Sequence, residues 1–234
     1  VDNAEQLHRG ETPRVPRLHL AATSPYVSVV EASSNAYPQC SEYRRLIALV
    51  KGPGARTFAI DVFRVKGGGK HAYRISSDVA SSETPEGALS FAGFDMPPEP
   101  PLPNVGHSIA RDDIFGLRDV RAVEAPPAAW QATWSQPHRQ YRLWMLTQVS
   151  AVEASNGPGQ TTRKNAGRRV RYLDAVRAGD TVESVFVAVH EPGGTGGALP
   201  IRAVTRLDVP GQAGPDAVAL RIESEWGTYY FFND

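Results

Sequence analysis

With one cysteine, two methionines and no excess of either charge, the 234-residue chain sets its first limits by what it lacks. The single Cys40 excludes an internal disulfide and any metal site built from several thiolates. It leaves the compartment open, because many secreted proteins carry no disulfide. Lys+Arg and Asp+Glu both number 25, so the molecule as a whole offers no field that would draw in nucleic acid, and none is expected as a partner. Attraction for a polyanion would have to come from local clustering. The longest unbroken apolar runs are about five residues, as in Val185–Val189, against the roughly 20 that a membrane-spanning helix needs. No membrane span is therefore expected. There is no initiating methionine and no signal-like segment, and the chain closes on the strand-like "GTYYFFND". Both ends are expected to have been cut from something longer.

Motifs that would announce chemistry are also missing. His8 and His19 lie eleven apart and His71, His107, His138 and His190 are scattered, with no H-x-H or H-E-x-x-H pair to start a zinc site. No G-x-S-x-G elbow is present, and Cys40 has no credible partner as a nucleophile. The paired acids Asp112 and Asp113 sit in loop-like sequence, where exposed carboxylates are the ordinary explanation. "KGGGK", from Lys66 to Lys70, is not a phosphate loop: its glycines are consecutive, His71 stands where Ser or Thr is required, and strand sequence follows. The simplest reading is a glycine hairpin, since glycine accepts positive φ without steric cost.

What is present is strand sequence. "PYVSVVEASS", "YRRLIALV", "TFAIDVFRV", "HAYRISSDV", "WQATWSQ", "YRLWMLTQV", "TVESVFVAV", "IRAVTRLDV" and "AVALRIESEW" are short, rich in β-branched and aromatic residues, and bounded by turn formers. Alternation places Ile201, Ala203, Leu207 and Val209 on one face and Arg202, Arg206 and Asp208 on the other; Val218, Leu220, Ile222 and Trp226 likewise oppose Arg221, Glu223 and Glu225. "TVESVFVAV" becomes apolar on both faces, as an inner strand between two layers would. Trp130 and Trp134 fit either a helix or a strand by spacing, but Pro137 disfavours the helix. "DMPPEPPLPN" is a stiff extended crossing, while "EASNGPGQTTRKNAGRR" and "EPGGTGG" read as polar and flexible loops. The expected fold is all-β: one large antiparallel β-sandwich, supersandwich-like, with little or no helix and a single domain over residues 1–234.

Candidate binding residues follow from the chemistry of aromatic faces and cationic forks. His71, beside Lys70 and Tyr73, could stack on a sugar or donate to a carboxylate. Trp130, Trp134, His138, Arg139, Tyr141, Arg142 and Trp144 crowd into fifteen residues; as a binding face they suit sugar rings and their acidic groups, and as core they are a buried row with a solvated reverse side. The basic run Arg163–Arg171 could meet an acidic polymer or simply solvate a loop.

"VVEASSNAYPQCSEYRRLIALV", "FAIDVFRVKGGGKHAYRI", "YRLWML" and "ESVFVAVHEP" together resemble the heparinase II/III-like family of bacterial polysaccharide lyases. The likeness is a Tyr-containing loop, an Arg-Arg strand, an Asp-x-Phe-Arg-Val strand, a glycine turn and an aromatic-His strand. It runs over most of the chain, roughly Val1 to Asp234, without a motif of catalytic grade. The resemblance implies an α/α toroid upstream and a large antiparallel β-sandwich, with uronate-containing acidic polysaccharide cleaved by β-elimination between the two. It implies that this chain is the C-terminal sandwich, that the toroid is a missing partner, and that the protein is periplasmic or secreted. It implies no cofactor in this chain; a metal would belong to the missing upstream H-x-H and His-Asn segments. β-Elimination needs a base for the C5 proton, an acid at the leaving oxygen, and cations on the uronate carboxylate. Only the third role has candidates here, Arg44, Arg45, Arg64, Lys70 and Arg142. The expected substrate-binding residues are His71, Lys70, Tyr73, Arg45, Trp134 and Arg142, with no catalytic residue. The alternatives are a stand-alone non-catalytic carbohydrate-binding module and a sandwich that only scaffolds an oligomer.

Overall fold

The computed structural model describes residues 1–4, 15–77, 88–98, 117–136, 139–158, 169–193, 199–209, 214 and 216–234. Fifteen strands, numbered in chain order, make three wholly antiparallel sheets among these residues. The largest has eight strands in the order β1 (Arg17–Thr23), β2 (Val27–Ser33), β3 (Glu42–Lys51), β4 (Thr57–Lys66), β12 (Glu183–Gly193), β9 (Arg139–Met145), β8 (Trp130–Gln136) and β6 (Ala88–Ala92). A four-stranded sheet runs β5 (Lys70–Ser77), β11 (Arg169–Ala178), β10 (Ala151–Pro158), β7 (Arg118–Glu124). A three-stranded sheet runs β13 (Ile201–Leu207), β14 (Val218–Ser224), β15 (Gly227–Asn233). The only helical turn among the described residues is a 3-10 turn at Pro53–Ala55.

The eight-stranded sheet is the middle layer of three. Phe63, Val65, Trp130, Trp134, Leu143, Met145 and Phe186 from one of its faces pack with Tyr73, Val152, Ala154, Leu173 and Ala175 of the four-stranded sheet. Phe58, Ile60, Val62, Trp144, Val187 and Val189 from its other face pack with Ile201, Val218, Leu220 and Ile222 of the three-stranded sheet. Strands β4 and β12 therefore bury both faces, which is why "TVESVFVAV" loses its alternation. Each large side chain so buried is worth about 1.5–3 kcal/mol, and the two cores share one backbone layer.

Three expectations change. The glycine stretch is not a hairpin, because β4 pairs with β3 and β12 while β5 pairs with β11. Gly67–Gly69 is instead the corner by which the chain leaves the middle sheet for the four-stranded one. Gly67 and Gly68 sit at φ 98° and 87°, and a Cβ on Gly67 would lie 2.4 Å from the Gln39 carbonyl oxygen. In β13, a register shift between Ile201 and Ala203 breaks the period of two, so Val204 joins Ile201 against the core. The first part of the supposed loop, residues 153–158, belongs to strand β10 (Ala151–Pro158), with Ser155 and Asn156 buried. In β14 the alternation holds: Val218, Leu220 and Ile222 are fully buried.

Candidate functional site

Alternation along four adjacent strands sends Arg45 (β3), Asp61 (β4), His190 (β12) and Tyr141 (β9) to the same face of the middle sheet, and Tyr73 reaches them from β5. Asp61, 1 % exposed, accepts from Arg45 Nε at 2.9 and 3.1 Å, from Arg45 Nη2 at 2.5 Å and from the Tyr73 hydroxyl at 2.6 Å. A phenol has one proton. Given to Asp61, it obliges Tyr73 to accept from His190 Nε2 at 2.8 Å, so His190 carries its proton there. His190 Nδ1 is in turn hydrogen-bonded to the Tyr141 hydroxyl. The result is a connected network of Tyr141, His190, Tyr73 and Asp61, with His190 Nε2 also 3.4 Å from Asp61, closed by Arg45.

Burial alone would raise the Asp61 carboxyl, but the hydrogen bonds of His190, Arg45 and Tyr73 outweigh it and hold Asp61 below the usual range. Burial, aided by the Asp61 charge, pushes both Tyr73 and Tyr141 well above the ordinary phenol value. Neither tyrosine forms a phenolate near neutral pH, so neither serves as a ready base in this arrangement.

Arg45 is where this network meets solvent, its side chain 45 % exposed. The guanidinium carbon lies 5.4 Å from the ring centroids of both Phe63 and Tyr73, which fix its plane. Nε and Nη2 are committed to Asp61, while Nη1 has no partner among the described residues. It borders a cavity of about 230 Å³ lined by Tyr37, Tyr43, Arg45, Lys70, Tyr73 and Arg74, with Asp2 and Phe63. Lys70 is held loosely by Glu153 at 3.7 Å and Arg74 firmly by Asp174 at 2.6 Å. At the glycine corner beside the cavity, the amides of Gly69 and Lys70 donate to Asp2 Oδ1 at 2.8 and 2.7 Å.

Of the six residues expected to bind substrate, Arg45, Lys70 and Tyr73 come together here. The other three lie elsewhere, with their polar groups or faces occupied. His71 is 1 % exposed; its Nε2 donates to the Gly67 carbonyl at 2.7 Å, which can only accept, and Nδ1 accepts from Ser184 Oγ at 2.8 Å. It is a neutral strut inside the corner. Trp134 is 4 % exposed and packs on Tyr141 within the core. Arg142 is bound at 2.8 Å to the fully buried Glu191, also donates to the Ile201 carbonyl at 2.5 Å, and lies over Trp144. Arg44 and Arg64 project to the opposite face, around the buried Glu31.

Asp61 and His190 were not singled out by sequence reasoning, and Tyr141 only as a member of the aromatic cluster between Trp130 and Trp144. A usable signal existed at Asp61, a lone carboxylate in the apolar run "FAIDVF", which demands a cation or donors at its burial site. His8, His107, His138, Asp112, Asp113, the basic residues 163–168, the proline-rich residues 99–104 and the glycine-rich residues 194–197 lie outside the described residues. Among the described residues no three His, Cys, Asp or Glu side chains converge as metal ligands would. No described helix is long and apolar enough to cross a membrane.

No family model matches the chain, and no curated protein matches it in sequence. Its structure is similar to that of heparan sulfate lyase HepC from Pedobacter heparinus, with a TM-score of 0.54 at 9% identity over 93% of this chain. A mutant of the same enzyme gives a TM-score of 0.55. The fold is that of part of a heparinase III. The heparinase III BT4657 gene product is similar over 94% of this chain, with a TM-score of 0.53 at 10% identity. The chain spans 28% of the HepC chain and 27% of the BT4657 chain. The fold implied by the resemblance is thus the fold observed, and it accounts for only part of each heparinase III.

Proposed function

We propose that this chain is the C-terminal β-sandwich of a polysaccharide lyase, and that it forms one wall of a cleft for uronate-containing acidic polysaccharide. The reading is carried by one observation: 93% of the chain shares its fold with part of a heparan sulfate lyase. The cavity at Arg45 supports the same reading. Arg45 brings an uncommitted guanidinium edge to it, Lys70 adds a second cation, and Tyr37 and Tyr43 line it with aromatic rings.

In this proposal Arg45 holds the uronate carboxylate, withdrawing charge from the carbon whose proton is removed. Its plane is fixed by Asp61, Phe63 and Tyr73, so little ordering cost remains on binding. The main acid and base come from outside these residues, as the raised tyrosines and the inward-facing His71 suggest. The toroid is the natural source.

The test uses the whole protein and the ultraviolet absorbance of unsaturated uronate. Removing Arg45 outright would strand Asp61 in the interior, so the informative variant is Arg45→Lys, which keeps a cation for Asp61 but loses the second edge. Its KM should rise about tenfold, consistent with one charge-assisted contact. Lys70→Ala, whose only ion pair among the described residues is long and part-exposed, should raise KM by a smaller factor. Unchanged KM in both variants, with folding intact by circular dichroism, overturns the assignment of this cavity.

A further inference from the structure

A second groove lies on the reverse side of the sheet. Arg44 and Arg45 are adjacent in β3 and so point to opposite faces: Arg45 with Tyr43 towards the first core, Arg44 with Leu46 and Ala48 towards the second. Across the strands, Arg17, Ser33, Arg44 and Arg64 stand in one transverse register row. Like charges directly opposite one another, as Arg44 and Arg64 are, weaken a sheet. A single carboxylate beneath them, Glu31 at 4 % exposure, serves both: Arg44 Nη2 donates to it at 2.8 Å and Arg64 Nη1 lies 3.9 Å away, too far for a hydrogen bond. Arg64 Nη1, on a residue 3 % exposed, is left without a hydrogen-bond partner.

Over this row lies a groove of about 550 Å³ lined by Arg17, His19, Ser33, Asn35, Arg44 and Lys66, among others. The short Ser33 separates two arginines that are two strands apart, roughly 9–10 Å along the row, and so leaves a saddle between their guanidinium groups. Arg17 has no partner among the described residues, and Arg44 commits only Nε and Nη2 to Glu31, so both present free N–H edges to the saddle. His19 Nε2 and Ser33 Oγ are linked at 2.8 Å on its floor. Ser34 and Ser41 add hydroxyls along the groove. Lys66, held between Asp216 and Glu42, places a further cation at its end.

We propose that this groove is a second saccharide site, which takes a carboxylate or sulfate group of an acidic oligosaccharide between Arg17 and Arg44 and its hydroxyls on the serines. Two forks converging over a small residue suit a planar or tetrahedral oxyanion, and the hydroxyl lining suits the sugar that carries it. Its anion-binding groups are distinct from those around Arg45, though Tyr43 borders both cavities, and the proposal does not depend on the lyase reading.

The experiment titrates the whole protein with a uronate oligosaccharide, a sulfated oligosaccharide, a neutral oligosaccharide of equal length and inorganic sulfate, following the backbone amides of Ser33, Ser34 and Arg44 by NMR. Those amides should shift with at least one acidic oligosaccharide, and whichever binds names the group. Arg17→Gln, a change at an exposed edge strand, should weaken that affinity about tenfold, and Lys66→Gln should weaken it less. Arg45→Lys should leave it unchanged, which separates this groove from the cavity on the other face. Equal binding of the neutral sugar, sulfate alone binding as tightly as the oligosaccharides, or no shift at these amides with any ligand would each overturn the proposal.

Discussion

Inside the glycine corner, burial favours the neutral form of His71, whose Nε2 donates to the Gly67 carbonyl while Nδ1 accepts from the Ser184 hydroxyl. Burial lowers its folded-state pKa below the ordinary 6.5. The unfolded chain then binds more protons than the folded one just below 6.5, so this contribution to stability is complete above that value and declines as pH falls through it. The urea midpoint should therefore drop between about pH 7.5 and about pH 5.5, and the drop should be shallower in His71→Gln. A slope unchanged by the substitution contradicts the role. Glu191 offers a sharper case. It is fully buried and receives Arg142, Trp144 and the Ile201 amide, tying β9 and β12 to the start of β13. Glu191→Ala leaves the Arg142 charge without its acid and should cost about 3–5 kcal/mol by urea denaturation; a loss below about 1 kcal/mol would mean the clamp is dispensable.

Strands were legible because period and composition are local properties. "WQATWSQ" is strand β8 residue for residue, and β14 alternates as read. Pairing is not local. "TFAIDVFRV" and "HAYRIS" look like the two arms of a hairpin, but the strong apolar character of both faces of β4 places it between β3 and β12, and β5 must find β11 instead. The bulge at Ile201/Ala203 was equally invisible, since no residue type there requires it. The corner itself is testable. Gly67→Ala puts a Cβ against a backbone oxygen at positive φ and should cost about 2 kcal/mol or more. Gly54→Ala, also at positive φ but with open space around it, should cost only about 1 kcal/mol. Equal costs would show that the crowding at Gln39 is relieved elsewhere. The site divides in the same way. Lys70 and Tyr73 could be picked out because a cation and an aromatic follow the glycines, and Arg45 because the resemblance asks for a cation on a uronate carboxylate, whereas the convergence of Asp61, His190 and Tyr141 depends on three strands being neighbours, which only the sheet order reveals.

For the molecule as a whole, the middle sheet does two jobs. Its interior half joins the two cores, and at one end its faces carry different polar groups: Arg45 with Asp61, Tyr73, His190 and Tyr141 on one side, Arg17, Arg44 and Arg64 with Glu31 on the other. A zero net charge hides this, because the cations and their counter-ions are concentrated locally rather than spread as a field. The fold shared with part of a heparan sulfate lyase underlies the proposal that the first face is a cleft wall, and in that proposal proton transfer comes from the opposite wall. The central claim is therefore one of divided labour, best tested by comparing the whole protein with residues 1–234 alone on the same uronate-containing polysaccharides, with ultraviolet absorbance reporting unsaturated uronate. The account predicts turnover by the whole protein and none by residues 1–234; turnover by residues 1–234 alone, or none by the whole protein on any such polysaccharide, would contradict it.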